Sequence, residues 1–281
     1  MQAARRLCMA FLTACAAFLW LAAAAPASAQ SSSRCMAIAQ NTPGVQYVAF
    51  RPAQAAKPEV RITFVGHATF RIETPEGLTI ATDYAGYAGR GPIPDIVSMN
   101  HAHSTHYTDF PDPKIGHVLR GWATDGKPAQ HNLAVGDVLI RNVTTDVRNW
   151  MTGTFEKDGN SIFIFEIADM CIGHLGHLHH TLGPEHMGLI GQLDIVMVPV
   201  DGSYTMNQGS MVEVLQTLKA RLILPMHVFG PATLQNFLRR LGEAFEIETS
   251  GSPTIIVSSA PLPPSPKVLV LQGANFLGGF E

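Results

Sequence analysis

Apolar and polar side chains begin to alternate at Glu59, and that change marks the start of the folded domain. Val60, Ile62 and Phe64 alternate with polar neighbours, Gly66-His67-Ala68 interrupts, and Phe70 and Ile72 resume the two-residue period of a half-buried strand. Thr74-Pro75-Glu76-Gly77 predicts a turn, with residues 78–82 as the return strand of a hairpin that ends at Asp83. A loop rich in Gly and Pro, 86–94, leads to the apolar run 95–99, a buried strand. Short strands at 117–119, 138–143, 161–167 and 170–173 read together as a second sheet. A short helix is predicted over 183–191, then a strand over 194–200. Met211, Val214, Leu215, Leu218 and Leu222 fall at helical spacing, as do Leu234, Phe237, Leu238 and Leu241, which Gly242 closes. Between these helices lies a buried strand, 222–226. Strands at 254–257 and 267–271 complete the pattern, separated by the Pro-rich stretch 261–264.

The chain ahead of this domain has a different character. Arg5 and Arg6 precede an apolar run from Leu7 to Ala25 and a small-x-small site, Ala27-Ser28-Ala29, which predicts a signal peptide over 1–29 and a periplasmic or secreted product. Leu12-Thr13-Ala14-Cys15 offers a lipoprotein site as a second reading, but the apolar run continues past Cys15. An uncleaved anchor is a third, weaker reading, because the run ends in a cleavage signal rather than a charged stop. Residues 30–58 read as an N-terminal arm, 59–272 as the domain and 273–281 as a loose tail. Removing the leader takes Arg5 and Arg6 out of a formal charge of −3, so the mature chain is mildly acidic. It has no basic run, which argues against nucleic acid or an anionic membrane as partner, and no further spanning segment follows the leader. Cys35 and Cys171 remain after cleavage. They either form a disulfide, as an oxidising compartment permits, or leave Cys171 as a small buried hydrophobe.

Histidine carries the candidate chemistry. Asn100-His101-Ala102-His103-Ser104-Thr105-His106 follows the strand 95–99, and Gly173-His174-Leu175-Gly176-His177-Leu178-His179-His180 follows the strand 170–172. Asp201 and His227 each sit just past a buried strand as well. Ligand-type residues that repeatedly occupy the C-terminal ends of apolar strands converge on one edge of a sheet, where imidazole is the commonest protein ligand for zinc and similar ions.

With these pieces in order along residues 59–230, the chain resembles the metallo-β-lactamase superfamily, in its branch of lactonase-like and phospholipase D-like metal hydrolases. The resemblance rests on Ile62 to Phe70, Asp83, the His-x-His-x-x-His loop, Gly173 to His180, Val198 to Gly202 and Leu224 to His227. It implies an αββα four-layer sandwich in the α/β class, with one or two metal ions at the sheet edge. Zinc is the usual ion, and Mn and Fe are alternatives. A metal-activated water would then attack an ester, lactone, amide or phosphodiester of a small-molecule substrate. The implied ligands are His101, His103, His106, His174, His177 and His227, with Asp146 and Asp201 as further candidates. Asp83, Thr105 and His180 are expected to support those ligands from behind, with His67 and His180 either in that role or simply structural. Two positions depart from the family pattern: Thr105 stands where the loop usually carries Asp, and His177 stands where a carboxylate usually bridges two ions. An imidazole cannot bridge, so a non-catalytic metal or ligand binding protein on the same scaffold is the alternative. Tyr107, His179, Tyr204 and Trp150 are candidates for lining the cleft, and substrate and oligomeric state are not encoded in any motif.

Overall fold

A computed structural model describes residues 33–39, 57–149, 152–260 and 262–274 of the 281-residue chain. The leader, Trp150, most of the N-terminal arm and the end of the tail lie outside the described residues. In chain order the elements begin with α1 (Arg34–Ala39), β1 (Val60–Gly66), β2 (Thr69–Glu73), β3 (Thr79–Ala81), β4 (Ile96–Met99) and β5 (His117–Arg120). Then come β6 (Asn132–Val135), β7 (Val138–Arg148), β8 (Phe155–Ile167), β9 (Met170–His174) and α2 (Pro184–Ile190). The chain closes through β10 (Ile195–Pro199), α3 (Gln208–Leu218), β11 (Leu222–Met226), α4 (Pro231–Leu241), β12 (Glu246–Thr249), β13 (Thr254–Val257) and β14 (Lys267–Val270).

Two sheets stack face to face in the α/β sandwich that the resemblance implies. One has the order β13-β1-β2-β3-β4-β5, the other β12-β14-β11-β10-β9-β8-β7-β6. Every residue of β9, β10 and β11 is buried, as expected of parallel strands covered on both faces. A single apolar core joins Ile62, Phe70 and Ile72 of the first sheet to Phe163, Ile172 and Val196 of the second, and to Leu215 and Phe237 of the helices. A smaller cluster of Ala81, Val97 and Met99 lies under Tyr84, Ala88 and Ile115, so loop residues cover β3 and β4 on that side.

Several elements differ from the sequence pattern for identifiable reasons. The strand at 117 joins the first sheet, parallel to β4 with Ile96 opposite His117, rather than the second. Its partly exposed edge position gives no pattern that names its partner. β7 and β8 run on as a long ribbon, paired as far as Arg148 and Phe155, with a register shift between Thr145 and Val147. The added residues are largely polar, so hydrophobic alternation stops before the pairing does. β6 and β12 are short edge strands with little burial and leave no apolar signal. The first long helix ends at Leu218, where Lys219 takes a left-handed φ of 53° and caps it. Leu222, which shares the helical spacing, therefore starts β11.

The N-terminal arm is fastened through α1. Cys35 and Cys171 form a disulfide with a Cα–Cα distance of 5.9 Å, joining α1 to β9 across 136 residues. Both cysteines are buried. The Gln192 N–H donates to the Cys35 carbonyl at 3.2 Å, the Arg34 N–H donates to Glu166 at 2.9 Å, and Arg34 pairs with Asp169. Closing a loop this long constrains the unfolded chain, and loss of such a bond costs roughly 3–4 kcal/mol. Replacing both cysteines with serine should lower the thermal midpoint by roughly 10 °C for a domain of this size. A thermal melt that does not change would show that the arm adds nothing to stability.

Candidate metal centre

Each loop at the site leaves the end of a strand, and hydrogen bonds fix its direction. After β4, the Asn100 N–H donates to the Asp83 carboxylate at 3.2 Å, and the next residues fold into a turn closed by His106 N–H to the His103 carbonyl at 2.7 Å. The β1–β2 turn carries His67, whose carbonyl accepts the His227 N–H at 2.7 Å from the loop after β11. Asn160 on β8 lies beside the first loop, its Oδ1 accepts the His177 N–H at 2.8 Å, and its Nδ2 donates to Thr145 at 2.8 Å. Gly176 has a φ of 60°, and a side chain there would collide with Asn160 and Asn100, so the turn into His177 admits only glycine.

These loops bring five imidazoles together. Ring centroids are 4.3 Å apart for His67 and His227, 5.0 Å for His67 and His106, 4.7 Å for His106 and His177, and 5.1 Å for His101 and His177. His103 stands on the exposed lip with its ring parallel to that of His101. Three of these rings donate from Nδ1. His106 Nδ1 donates to Asp83 at 2.5 Å, His227 Nδ1 to Asp201 at 2.9 Å, and His101 Nδ1 to the Gly159 carbonyl at 2.7 Å. A neutral ring that donates from Nδ1 keeps its lone pair on Nε2, the arrangement typical of metal-binding histidines. The Nε2 atoms of His67 and His106 are buried with no hydrogen-bond partner. One ligand atom from each of His67, His106 and His227 lies within 4.8 Å of the others. An unsatisfied buried nitrogen is costly, and a shared cation would satisfy both, so the residues fit a metal ion.

The match to known families agrees with this geometry. Residues 61–227 fit the model of a β-lactamase superfamily domain. The chain belongs to that superfamily. A protein of Pyrococcus horikoshii named as a metal-dependent hydrolase is 24% identical over 213 residues, covering 67% of this chain and 95% of its own. Another of that name, from Methanosphaerula palustris, is 25% identical over 185 residues, covering 60% and 83%. Among solved structures, a Thermotoga maritima protein assigned to the metallo-β-lactamase superfamily superposes with a TM-score of 0.55 at 28% identity, covering 75% of this chain and 98% of its own.

Within this superfamily frame the predicted ligands divide. His101, His103, His106, His177 and His227 share the cleft, whereas His174 does not. It is fully buried, its Nε2 donates to the Ala68 carbonyl at 2.8 Å, and its Nδ1 accepts the Gly176 N–H at 3.1 Å, so both nitrogens are committed. Asp201 lies behind His227 and also accepts the amides of Ser203, Tyr204 and Thr205 and the Thr205 hydroxyl, which leaves it no free oxygen for an ion. Asp146 and His180 line a separate polar groove with His131, Asp158 and His186. There His180 Nε2 accepts the Asp146 amide at 3.1 Å and its Nδ1 donates to the Thr181 carbonyl at 2.8 Å, so it supports no ligand. Asp83 backs His106, and Thr105 lies 3.0 Å from His103 Nδ1.

Sequence reads His67 as a supporting or structural residue that interrupts one strand, but it is the tight turn between two and presents its ring to the cleft. His179, a candidate for lining the cleft, places its Nε2 2.7 Å from His177 Nδ1. Asn160 has no distinguishing sequence context and is the participant that no motif singles out. Tyr107 packs on Trp122, while Tyr204 is exposed beside Phe229.

Burial favours the neutral form of five of these histidines, His67, His101, His106, His177 and His179. His67 is lowered from 6.5 to about 3, first by desolvation and then by His227 and His106. His179 falls to about 4, by desolvation and then by His101. Desolvation also lowers His101, His106 and His177, and it raises Asp83 to about 6. For Asp201 burial works upward, but the hydrogen bond and charge of His227 outweigh it and hold the carboxyl well below its ordinary range. Five histidines therefore bind fewer protons folded than unfolded, so their stabilising effect is complete above pH 6.5 and is lost as pH falls, with Asp83 opposing part of the trend. The metal-free protein should lose unfolding free energy steadily from pH 7.5 to 5 in urea titrations. A flat profile would contradict the lowering of these five imidazoles by burial.

Proposed function

We propose that this protein is an exported metal-dependent hydrolase, with the ion held by His67, His106 and His227, and with His101 and His103 completing the nitrogen donor set at the lip of the cleft. The observation that carries the reading is the pair of buried, unpartnered Nε2 atoms on His67 and His106, converging with His227. Donors that are all imidazole suit zinc among the common hydrolytic metals. When bound, the ion supplies Lewis acidity, lowering the pKa of a water and polarising a scissile carbonyl or phosphoryl oxygen. Asp83 and Asp201 orient His106 and His227 through their Nδ1 protons. Such outer partners fix the ring and raise its basicity, and their loss commonly costs 10–100-fold in affinity or activity. The substrate class is a small ester, lactone, amide or phosphodiester.

Two further observations support export. The leader pattern precedes a domain whose two remaining cysteines are paired, and disulfides persist in oxidising compartments.

A second reading is a binding protein without turnover. It is favoured by Thr105, a neutral hydroxyl exposed on the lip where a carboxylate would strengthen the site. Metal content of the untagged mature chain, measured with hydrolysis panels for each substrate class, separates the two. The hydrolase reading expects at least one zinc per chain, its loss in His106→Ala and His67→Ala, and activity abolished by chelation. Bound metal with no turnover on any panel would favour the binding protein, and absence of bound metal would sink both.

A further inference from the structure

We infer that His177, although it stands among the proposed ligands, is a fixed hydrogen-bond donor toward substrate and not a metal ligand, with its Nε2 proton held in place by His179 and the Arg148 amide. This deepens the hydrolase reading and rests on it for the identity of the acceptor, an oxygen that becomes anionic as a carbonyl or phosphoryl group is attacked.

The polarity of one hydrogen-bond chain carries the inference. The Arg148 N–H donates to His179 Nδ1 at 3.2 Å. An amide nitrogen has no lone pair to offer, so Nδ1 of His179 must be the acceptor and its proton must sit on Nε2. That Nε2 lies 2.7 Å from His177 Nδ1, a distance that accommodates one proton between the two nitrogens. The proton belongs to His179, so His177 Nδ1 accepts. The ring of His177 then carries its own proton on Nε2, across the ring from His179. A protonated nitrogen has no lone pair for a metal. The same conclusion holds in either charge state, because a proton on His177 Nδ1 would face the N–H of His179.

The neighbours have the opposite polarity. His101, His106 and His227 each direct Nδ1 at a carbonyl or carboxylate oxygen and keep Nε2 as an acceptor. His177 is thus reversed within a ring of ligand-competent histidines, with centroids 4.7 Å from His106 and 5.3 Å from His227. Its backbone is anchored as well, by Asn160 and by the Gly176 turn. Among the described residues nothing accepts from its Nε2. A rigid donor beside a metal site, with no protein acceptor of its own, is suited to an oxyanion, and loss of one such donor typically lowers kcat by 10²–10³-fold.

The test uses the full mature chain labelled with ¹⁵N-histidine, with the His177 signals assigned by comparison with His177→Gln. Long-range ¹H–¹⁵N spectra should show His177 protonated on Nε2, in both metal-free and zinc-loaded protein. Zinc content should be unchanged in His177→Gln and His177→Ala while it falls in His106→Ala. On an activated substrate that the wild type hydrolyses, His177→Ala should lose about 10²-fold or more in kcat with little change in KM, and His177→Gln, which keeps an N–H donor, should recover part of it. A proton on Nδ1, a zinc-shifted Nε2, or loss of zinc in His177→Gln would overturn the inference, as would unchanged kcat in His177→Ala. If the wild type binds no metal, the hydrolase reading fails separately, and the metal-free spectrum still decides the tautomer.

Discussion

One hydrogen bond, from the His227 amide to the His67 carbonyl, joins the two sheets at the edge where the histidines meet. His67 turns the chain between β1 and β2 in the first sheet, and His227 follows β11 in the second. Their ring centroids come within 4.3 Å because the two backbones are tied there. The His174 to Ala68 bond fastens β9 to the same turn, and Asn100 fastens the first histidine loop to Ser161 of β8. In a close-packed sandwich, three such ties at one edge leave the loops little freedom to spread, and a site for a small cation depends on that restriction.

Local backbone strain appears at the same edge. His67, Asp83 and His227 all take positive φ, at 51°, 49° and 55°. Residues other than glycine rarely adopt this conformation, and each instance costs on the order of 1 kcal/mol or more. The surrounding hydrogen bonds hold them there. In return, two of these residues aim their rings into the cleft, and the third places a carboxylate behind His106. The two carboxylates play matched parts, Asp83 for the first sheet and Asp201 for the second. Each receives an Nδ1 proton and is itself held by backbone amides, so Nε2 faces the cleft with its lone pair available.

The polar interior is therefore organised by direction as much as by distance. His174 and His180 have histidine's full coordinating chemistry but use both nitrogens on neighbouring groups. His177 is set by a chain that begins at a main-chain amide on β7. Strand-end placement explains why these histidines reach the cleft. It does not explain which of them offers a lone pair, since that follows from what each Nδ1 meets.

Hydrophobic period and strand-end placement were enough to locate β4, β9, β10 and β11 and the cleft-side positions of His101, His103, His106 and His227, because burial on both faces requires continuous apolar runs and the loops must leave their ends. The same signals could not assign β5 to its sheet or extend β7 and β8, since edge and ribbon residues pair through backbone groups that carry no hydrophobic signature. Nor could they separate His67 from an ordinary turn, or His174 and Asp201 from ligands, because each distinction rests on the folded course of the chain, on Ala68 and His227 from distant elements as much as on the amides of the local turns. The sequence by itself determined the fold and which residue types reach the edge. Only the tertiary structure decided which imidazole nitrogens remain free, since a tautomer is fixed by the group on its other side.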